Sequence, residues 1–210
     1  MSSPAQRIRQ RQQRENTRRE ILAAAERFLR ERPYRELSVE SLMSQTGLSR
    51  TAFYRHFDDV PELVLRLLED VGRELYVIAA QWRHIAINDF ASGAHEGLAG
   101  IVDFFVEHGR LVRAVAEAAA TDDTIELGYR GYIAAFTEII GDGLDELASA
   151  GLLEVRDTRA LARALNLMNE SFLLEEFGRE PLGDRDVALA TLETVWLRVV
   201  GGGPPPPAAG

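Results

Sequence analysis

Apolar residues recur at three- and four-residue spacing through most of the chain, which is the period of an amphipathic α-helix. The first such stripe consists of Ile21, Ala24, Ala25, Phe28 and Leu29. No segment keeps the two-residue alternation of a half-buried strand over a useful length. The pattern therefore predicts an all-α protein with about nine helices. The later stripes lie within residues 60–78, 98–105, 111–115, 129–147, 161–172 and 189–199.

Breaks in this pattern near the N-terminus predict a helix-turn-helix. Pro33 ends the first helix, because the residue before a proline is pushed out of the helical region. Ser38 is a good N-cap for a short second helix. Gly47 then breaks the pattern, and a third helix begins at Ser49 and extends to His56. Short helices joined by a glycine turn are typical of a helix-turn-helix.

The third helix separates polar from aromatic side chains. At the helical repeat, four polar side chains share an arc of about 140°. Phe53 and His56 point the other way, where Phe53 can anchor the helix to the rest of the domain. The outer face thus offers guanidinium, hydroxyl and phenol groups. The four outward residues are Arg50, Thr51, Tyr54 and Arg55.

These outward groups are the ones that DNA contact uses. An arginine can bond a guanine edge bidentately or neutralise a phosphate, and Thr51 can reach a base edge. Tyr54 and Ser38 can donate to phosphate oxygens, which fixes the docking register. The helix start near Ser49 also favours a phosphate. A solvated amphipathic helix with packed aromatic residues fits the same spacing, so both interpretations stay open on spacing alone.

Charge is divided unevenly along the chain. Residues 1–57 hold 12 arginines and six glutamates, a balance of +6; residues 58–210 have a balance of −15, which gives the net charge of −9. A basic head on an acidic body favours contact of the head alone with a polyanion. A protein that compacts DNA without sequence preference would need basic charge over much of its surface, so the acidic body argues against that class.

The run from Ile21 to Leu63 contains TGLSRTAFYRHFDDVPEL and closely resembles the N-terminal DNA-binding domain of TetR-family transcriptional regulators. The resemblance implies a double-stranded DNA operator as partner. It implies that the following positions face DNA: Ser38, Arg50, Thr51, Tyr54 and His56.

One position departs from the family pattern. The family commonly has a lysine at the start of the fourth helix, where this chain has Val60. We therefore predict that one phosphate contact is missing there. An arginine-rich N-terminal arm offers a replacement, through Arg7, Arg9, Arg11 and Arg14.

The segment LARALNLMNESFLLEEFGREP, residues 161–181, is similar to the EthR branch of the TetR family. This resemblance implies an all-helical body that dimerises and binds a small hydrophobic ligand in a mostly apolar tunnel. It also implies that asparagines of the eighth helix bond the ligand. The predicted ligand-binding residues are Phe104, Phe105, Tyr129, Tyr132, Phe136, Asn166, Asn169, Phe172, Leu173 and Trp196.

Structural roles compete with ligand binding at these positions. Asn166 and Asn169 lie beside an apolar stripe, and a buried amide must be satisfied by a ligand, a water or a neighbouring helix. An aromatic stripe at helical spacing is often plain core. Four glycines of one helix allow either close helix contact or room for a ligand: Gly128, Gly131, Gly141 and Gly143.

The last two predicted helices, at about 158–177 and 184–200, carry broad apolar faces that a second copy can bury in a four-helix bundle. We therefore predict a homodimer that binds a palindromic operator. We expect a repressor whose ligand shifts the fourth helix. Control by a protein partner, with no small ligand, is the alternative.

Composition argues against other classes of protein. The chain has no cysteine, four histidines and no metal-type or nucleotide-binding motif, so we predict no catalytic residue, metal or cofactor. An all-helical enzyme is a remote alternative. No apolar run reaches the roughly 18 residues of a membrane span, and the polar N-terminus is no secretory signal. We therefore predict a cytoplasmic protein with no membrane contact.

These observations together predict four segments. Residues 1–15 form a disordered basic arm, and residues 16–60 form the helix-turn-helix domain. Residues 61–200 form the ligand-binding and dimerisation domain. Residues 201–210, GGGPPPPAAG, form a disordered tail, because glycine is too permissive and proline lacks the amide donor.

Overall fold

The computed structural model describes residues 3–86 and 89–200 of the protein, with the side chains of residues 4 and 83–86 outside the description. The described residues form eight α-helices, one 3-10 helix at Tyr34–Glu36 and no strand. The all-α prediction is therefore confirmed. The helices are α1 (Pro4–Glu31), α2 (Val39–Met43), α3 (Arg50–Phe53), α4 (Val60–Ala86), α5 (Phe90–Ala119), α6 (Asp123–Ser149), α7 (Thr158–Phe177) and α8 (Arg185–Val199).

The difference between nine predicted α-helices and eight observed ones arises in α5. The stripes at 98–105 and 111–115 were predicted as two helices, but both belong to this one continuous helix. His108 lies between them, is only 9% exposed, and packs its ring 5.0 Å from that of Phe104. Because a polar residue occupies a core-facing position, the hydrophobic pattern breaks although the helix continues.

Residues 4–15 belong to α1, so the predicted disordered arm is wrong for this part of the chain. Glutamine, arginine and glutamate are good helix formers, and extending an existing helix is easier than nucleating one. The Oε1 atom of Gln6 accepts the Ser3 N–H at 3.1 Å, and Arg11 pairs with Glu15 one turn later at 3.0 Å. Low apolar content therefore did not indicate disorder here.

The chain divides into two compact units. The first unit consists of residues 1–70 and 114–129, and the second of residues 71–113 and those from 130 onward. The predicted boundary at residue 60 coincides with the start of α4, whereas the first segment of the first unit continues to residue 70, within α4. Since α4, α5 and α6 each contribute residues to both units, a boundary drawn by sequence segments misses this division.

The core of the first unit holds α1, α2 and α3 together. Phe28 of α1 is 1% exposed, and the rings of Phe53 and Phe57 are also buried. The Phe53 and Phe57 ring centroids lie 5.6 Å apart. Leu42 of α2 is fully buried in the same unit. Burial of these apolar groups offsets the weak intrinsic stability of helices as short as α2 and α3.

In the second unit, acidic residues cap the last two helices. The Oδ1 atom of Asp157 accepts the Ala160 N–H at 2.9 Å at the start of α7. Asp184 caps α8 in the same way. Both helices agree closely with the predicted 158–177 and 184–200.

The predicted tail at 201–210 lies outside the described residues. Within the residues described, no helix is both long and apolar enough to cross a membrane.

Gly128 and Gly143 of α6 each mark a close approach within their own unit. A Cβ atom at Gly143 would collide with the Trp82 ring in the second unit, and one at Gly128 with Leu65 in the first. Gly131 differs, because a Cβ atom there would meet nothing within 4 Å. Close approach, the first of the two predicted explanations, therefore accounts for Gly128 and Gly143.

Candidate functional site

Serine caps position the two helices of the helix-turn-helix. The Oγ atom of Ser38 accepts the Ser41 N–H at 3.0 Å, and the Ser38 N–H donates to the Ser41 Oγ at 2.9 Å. The Oγ atom of Ser49 accepts the Ala52 N–H at 3.2 Å. The predicted capping roles of Ser38 and Ser49 are confirmed. Both serines are exposed to solvent.

The predicted third helix, Ser49 to His56, is only partly α-helical. The regular helix α3 is one turn long, and the chain continues in hydrogen-bonded turns. The His56 N–H donates to the Phe53 carbonyl at 2.8 Å, and the Phe57 N–H donates to the same carbonyl at 3.0 Å. These bonds keep the segment coiled up to its buried end at Phe57.

The polar face of this segment is open to solvent. Its four predicted outward residues are exposed, whereas Phe53 is fully buried. Tyr54 is 54% exposed and packs edge to face against Phe53, with centroids 5.3 Å apart. The aromatic contact limits the freedom of an exposed ring, and a restricted ring can bind with little loss of entropy. The exposed set is Arg50, Thr51, Tyr54 and Arg55.

His56 is partly buried beside Phe57, with the ring centroids 6.4 Å apart. Burial lowers the pKa of His56 below its usual value, and the positive charges of Arg14, Arg18 and Arg55 lower it further. The neutral imidazole is therefore favoured in the free protein. A DNA phosphate placed nearby would act in the opposite direction and favour the imidazolium.

A small apolar cavity lies in the second unit. Its volume is about 10 Å³, which leaves room for roughly one water molecule. The rings of Trp82 and Trp196 meet edge to face beside it, with centroids 5.9 Å apart. Trp196 is the one predicted ligand-binding residue on its wall. The lining residues are Ile78, Ala79, Trp82, Gly97, Leu98, Ile101, Ile140 and Trp196.

Both predicted asparagines are buried and bonded to neighbouring helices. Asn169, 4% exposed, accepts the indole N–H of Trp196 on its Oδ1 atom at 3.2 Å. Asn166, 9% exposed, donates from Nδ2 to the Thr137 Oγ1 at 2.8 Å. Each amide therefore has a partner within the protein, which is the structural role that competes with ligand binding.

The other predicted ligand-binding residues are buried or partly buried and lie away from the cavity wall. Phe104 and Phe105 pack against each other with centroids 5.6 Å apart. The Tyr132 hydroxyl donates to the Gly72 carbonyl at 2.7 Å, and burial raises the pKa of this phenol. Tyr129 belongs to the first unit. Phe136 and Leu173 are buried, and Phe172 is partly buried.

Most of the cavity wall was not predicted from the sequence. Leu98 and Ile101 were visible as a core stripe, but nothing in that stripe distinguishes cavity-lining residues from filled core. Gly97 offers the nearest signal, because a glycine inside a helix leaves space that a large neighbour such as Trp82 can occupy. Among the described residues, no three His, Asp or Glu side chains are grouped as a metal site requires.

Comparison with known proteins agrees with both halves of this arrangement. Residues 21–67 match the family described as bacterial regulatory proteins, tetR family. Residues 94–202 match the C-terminal domain of the transcriptional regulator EthR. The HTH-type transcriptional regulator EthR of Mycobacterium tuberculosis is 30% identical over 188 residues, covering 87% of this chain and 86% of that protein. This chain belongs to the TetR family, in its EthR branch.

Other relatives of this TetR-family chain give the same picture. The regulator EthR of Mycolicibacterium smegmatis is 26% identical over 187 residues, covering 87% of this chain and 85% of that protein. A TetR-family structure from Syntrophomonas wolfei shares the fold with a TM-score of 0.76 at 14% identity, covering 89% of this chain and 95% of that one. The chain is thus a DNA-binding transcriptional regulator, and its relatives are regulators, not enzymes.

The TetR-family chain carries carboxylates at the start of α4, next to Val60. The Oδ1 atom of Asp59 accepts the Glu62 N–H at 2.8 Å, and Glu62 Oε2 accepts the Asp58 N–H at 2.7 Å. Carboxylates stabilise a helix N-terminus through its dipole. The same carboxylates repel phosphate. The start of α4 around Val60 therefore favours the helix and disfavours a phosphate contact.

Proposed function

We propose that this regulator binds a palindromic operator as a homodimer, represses transcription there, and acts in the cytoplasm. The observation that carries this proposal is the exposed polar face of the α3 segment on its buried anchor, Phe53. Arg50 and Thr51 would read base edges, because guanidinium and small hydroxyl groups match the major-groove pattern. Tyr54 and Ser38 would bond phosphates and fix the register. Ser49, Arg55 and His56 complete the proposed interface.

Exposed apolar residues on α7 and α8 support the homodimer. Leu167 is 45% exposed on α7, and Leu197 is 38% exposed on α8. Val187 and Val199 of α8 are 63% and 44% exposed. A second copy packed on these two helices would remove this surface from water. The pairing would also bring two recognition segments together, as a palindrome requires.

A small hydrophobic ligand is the proposed modulator, and the cavity beside Trp82 and Trp196 is its proposed entry point. A cavity of about 10 Å³ holds no such ligand without rearrangement. Displacement of Trp196 would open it and release its indole N–H from Asn169, whose amide could then bond the ligand. The ligand can act only if it favours this open state over the closed one.

The closed interior also supports a second candidate, control by a protein partner. Asn166 and Asn169 both have partners within the protein, so neither requires a ligand for satisfaction. A regulator of this kind would keep its interior filled and change its DNA affinity when another protein binds. Ligand titration separates the two candidates, because only the first predicts displacement of Trp196.

Selection of bound sequences from a random DNA pool tests the operator proposal. The full-length chain should enrich a palindrome, and its affinity for that duplex should exceed its affinity for an unrelated one by at least a thousandfold at moderate salt. Enrichment of a sequence without two-fold symmetry would reject the dimer. Equal affinity for both duplexes would reject specific recognition.

Titration with apolar compounds of graded size tests the ligand proposal. We expect tryptophan fluorescence to change on binding, because both tryptophans lie on the cavity wall. Operator affinity should change over the same concentration range, since the two equilibria are linked. A fluorescence change that leaves operator affinity constant would favour the protein-partner candidate.

A further inference from the structure

Four arginines form one stripe along the N-terminal half of α1. At the helical repeat, Arg7, Arg11, Arg14 and Arg18 fall within an arc of about 60°. The described side chains of residues 5–16 are exposed. Arg9 lies on the opposite side of the same helix by the same geometry. The formation of a helix therefore sorts the arginines of this segment into two faces, which a disordered arm would not do.

The C-terminal end of this stripe contacts the turn that follows α3. The Nη2 atom of Arg14 donates to the Arg55 carbonyl at 3.4 Å. The Arg18 guanidinium lies 6.0 Å from the centroid of the Phe57 ring and pairs with Asp70 at 3.6 Å. These contacts lie within the first unit. They hold the stripe beside the recognition segment.

The remaining part of the stripe extends past this contact. Arg7 and Arg14 are seven positions apart in the helix, which is about 10 Å along the axis, or roughly three base pairs of duplex. Arg11 is 83% exposed at its side chain, and its pair with Glu15 is a solvated one. Such exposed pairs contribute little, so a phosphate can replace the carboxylate.

We propose that Arg7, Arg11 and Arg14 form a phosphate-binding edge that extends the DNA interface beyond the helix-turn-helix. The partner is the sugar-phosphate backbone of double-stranded DNA, and the contact carries no sequence information. The edge supplies cationic charge that the start of α4 lacks, because Asp58, Asp59 and Glu62 surround Val60 there. The inference rests on the proposed DNA contact of the α3 face.

The composition of α1 favours DNA over a lipid surface as the partner. A membrane-surface helix needs a broad apolar face opposite its basic one. The first 15 residues contain little apolar mass beyond Ile8, which is 58% exposed, and most of the other positions from residue 6 to residue 15 are arginine or glutamine. Polar residues of this kind suit a helix that lies along phosphates in water.

The test compares R7Q/R11Q with R9Q in the full-length chain. Glutamine and arginine have similar helix propensities, so far-ultraviolet circular dichroism should be unchanged in both variants. The probes are the duplex enriched from the random pool and an unrelated 40-base-pair duplex, measured from 50 to 200 mM salt. Each lost phosphate contact should lower the slope of log affinity against log salt by about 0.9, so the double variant should lose nearly two.

The double variant should bind both duplexes on the order of tenfold more weakly and leave their affinity ratio unchanged, as expected for phosphate contacts. R9Q should keep a slope within half a unit of the wild type. An unchanged slope in R7Q/R11Q overturns the proposal. A loss of slope in R9Q equal to the loss per arginine in R7Q/R11Q also overturns it, because it would indicate general charge attraction. If only binding to phosphatidylglycerol vesicles falls, the stripe serves a membrane and the proposal is wrong.

Failure of the proposed operator would appear separately. If the wild type enriches no sequence, specific recognition fails, but the slope on the unrelated duplex still tests the phosphate edge. If the wild type enriches a palindrome and both variants have the wild-type salt slope, the operator proposal stands and the phosphate-edge proposal is wrong.

Discussion

Tyr54 combines a 54% exposed ring with an edge-to-face contact to buried Phe53. At the scale of the residue, the ring and the hydroxyl therefore have different roles. The ring packs against Phe53, and the hydroxyl is proposed to bond a phosphate. Removing the hydroxyl leaves the ring packing intact, so a substitution there tests one proposed hydrogen bond. Thr51 lies on the same exposed face and is proposed to contact a base edge. The two positions therefore give opposite expectations for sequence preference.

Tyr54→Phe should weaken binding to every DNA sequence by a similar factor. Loss of one hydrogen bond to a charged phosphate costs about 1.5–3 kcal/mol, or roughly ten- to 150-fold in affinity. Equilibrium titration against the selected duplex and against single-base variants measures this. Wild-type affinity in Tyr54→Phe would remove the phosphate assignment.

Thr51→Ala should instead relax the choice of base at one position of each half-site. Discrimination there should fall by about 1–3 kcal/mol, because a base contact and not a backbone contact is lost. Binding to the same set of single-base variants gives the answer. A uniform loss across all variants would show that Thr51 contacts the backbone.

Two α6 glycines provide a matched pair for stability. Gly131→Ala should raise the free energy of unfolding by up to about 1 kcal/mol, because alanine is the better helix former and its Cβ atom meets nothing within 4 Å. Gly143→Ala should lower it by about 1–3 kcal/mol, because the new methyl group overpacks the Trp82 ring. Urea denaturation measures both. A gain in Gly143→Ala would show that the tryptophan can move freely.

At the scale of the element, Asp122 links two segments of the first unit. Its Oδ1 atom accepts the Thr124 and Ile125 N–H groups at 3.0 and 3.1 Å, which caps α6. Its Oδ2 atom accepts the Tyr34 hydroxyl at 3.1 Å, in the 3-10 helix that follows α1. Burial, followed by the charge of Asp122, raises the pKa of Tyr34 to about 12. One carboxylate therefore stabilises a helix start and a contact distant in sequence.

Tyr34→Phe should lower the free energy of unfolding by about 1 kcal/mol near pH 8, through loss of this hydrogen bond. An unfolded tyrosine ionises near pH 10, so the folded chain favours the protonated phenol. Its contribution is complete below pH 10 and is lost as the pH rises toward about 12. The stability difference between wild type and Tyr34→Phe should therefore shrink over this window.

Tyr54→Phe serves as the matched control for the pH series, because Tyr54 is an exposed tyrosine of the same unit. Urea denaturation at pH 8, 10 and 11.5 compares the three proteins. If the difference at Tyr34 stays constant across the series, the phenol does not titrate in the way that its contact with Asp122 requires.

At the scale of the whole molecule, the proposed dimer depends on surface that a single copy leaves exposed. Leu167→Arg should abolish the dimer, because an unpaired charge would be buried at the proposed interface of α7 and α8. Leu127→Arg is the control, since Leu127 is 78% exposed on α6 in the other unit. Light scattering measures the mass, and operator affinity should fall with it. A dimeric Leu167→Arg would place the interface elsewhere.

Sequence periodicity was sufficient for most of the fold and for the face of α3. Helical spacing separates Phe53 from Arg50 and Tyr54 by geometry alone, and the structure confirms that separation. The same reasoning failed where a local signal had two meanings. His108 interrupts an apolar stripe without ending α5, and the polar start of α1 is helical although it lacks apolar mass.

The cavity and the amide partners were decided by tertiary packing. Whether Asn169 meets a ligand or the Trp196 indole depends on how α7 and α8 pack, and residues 27 positions apart carry no local signal of their contact. Likewise, Gly131 and Gly143 have the same local propensity but different neighbours. Helix type, charge division and the polar face of α3 follow from short-range geometry, which the order of residues sets directly. Cavity walls, buried partners and the anchoring of the arginine stripe beside Arg55 depend on distances between segments, which only the folded chain establishes.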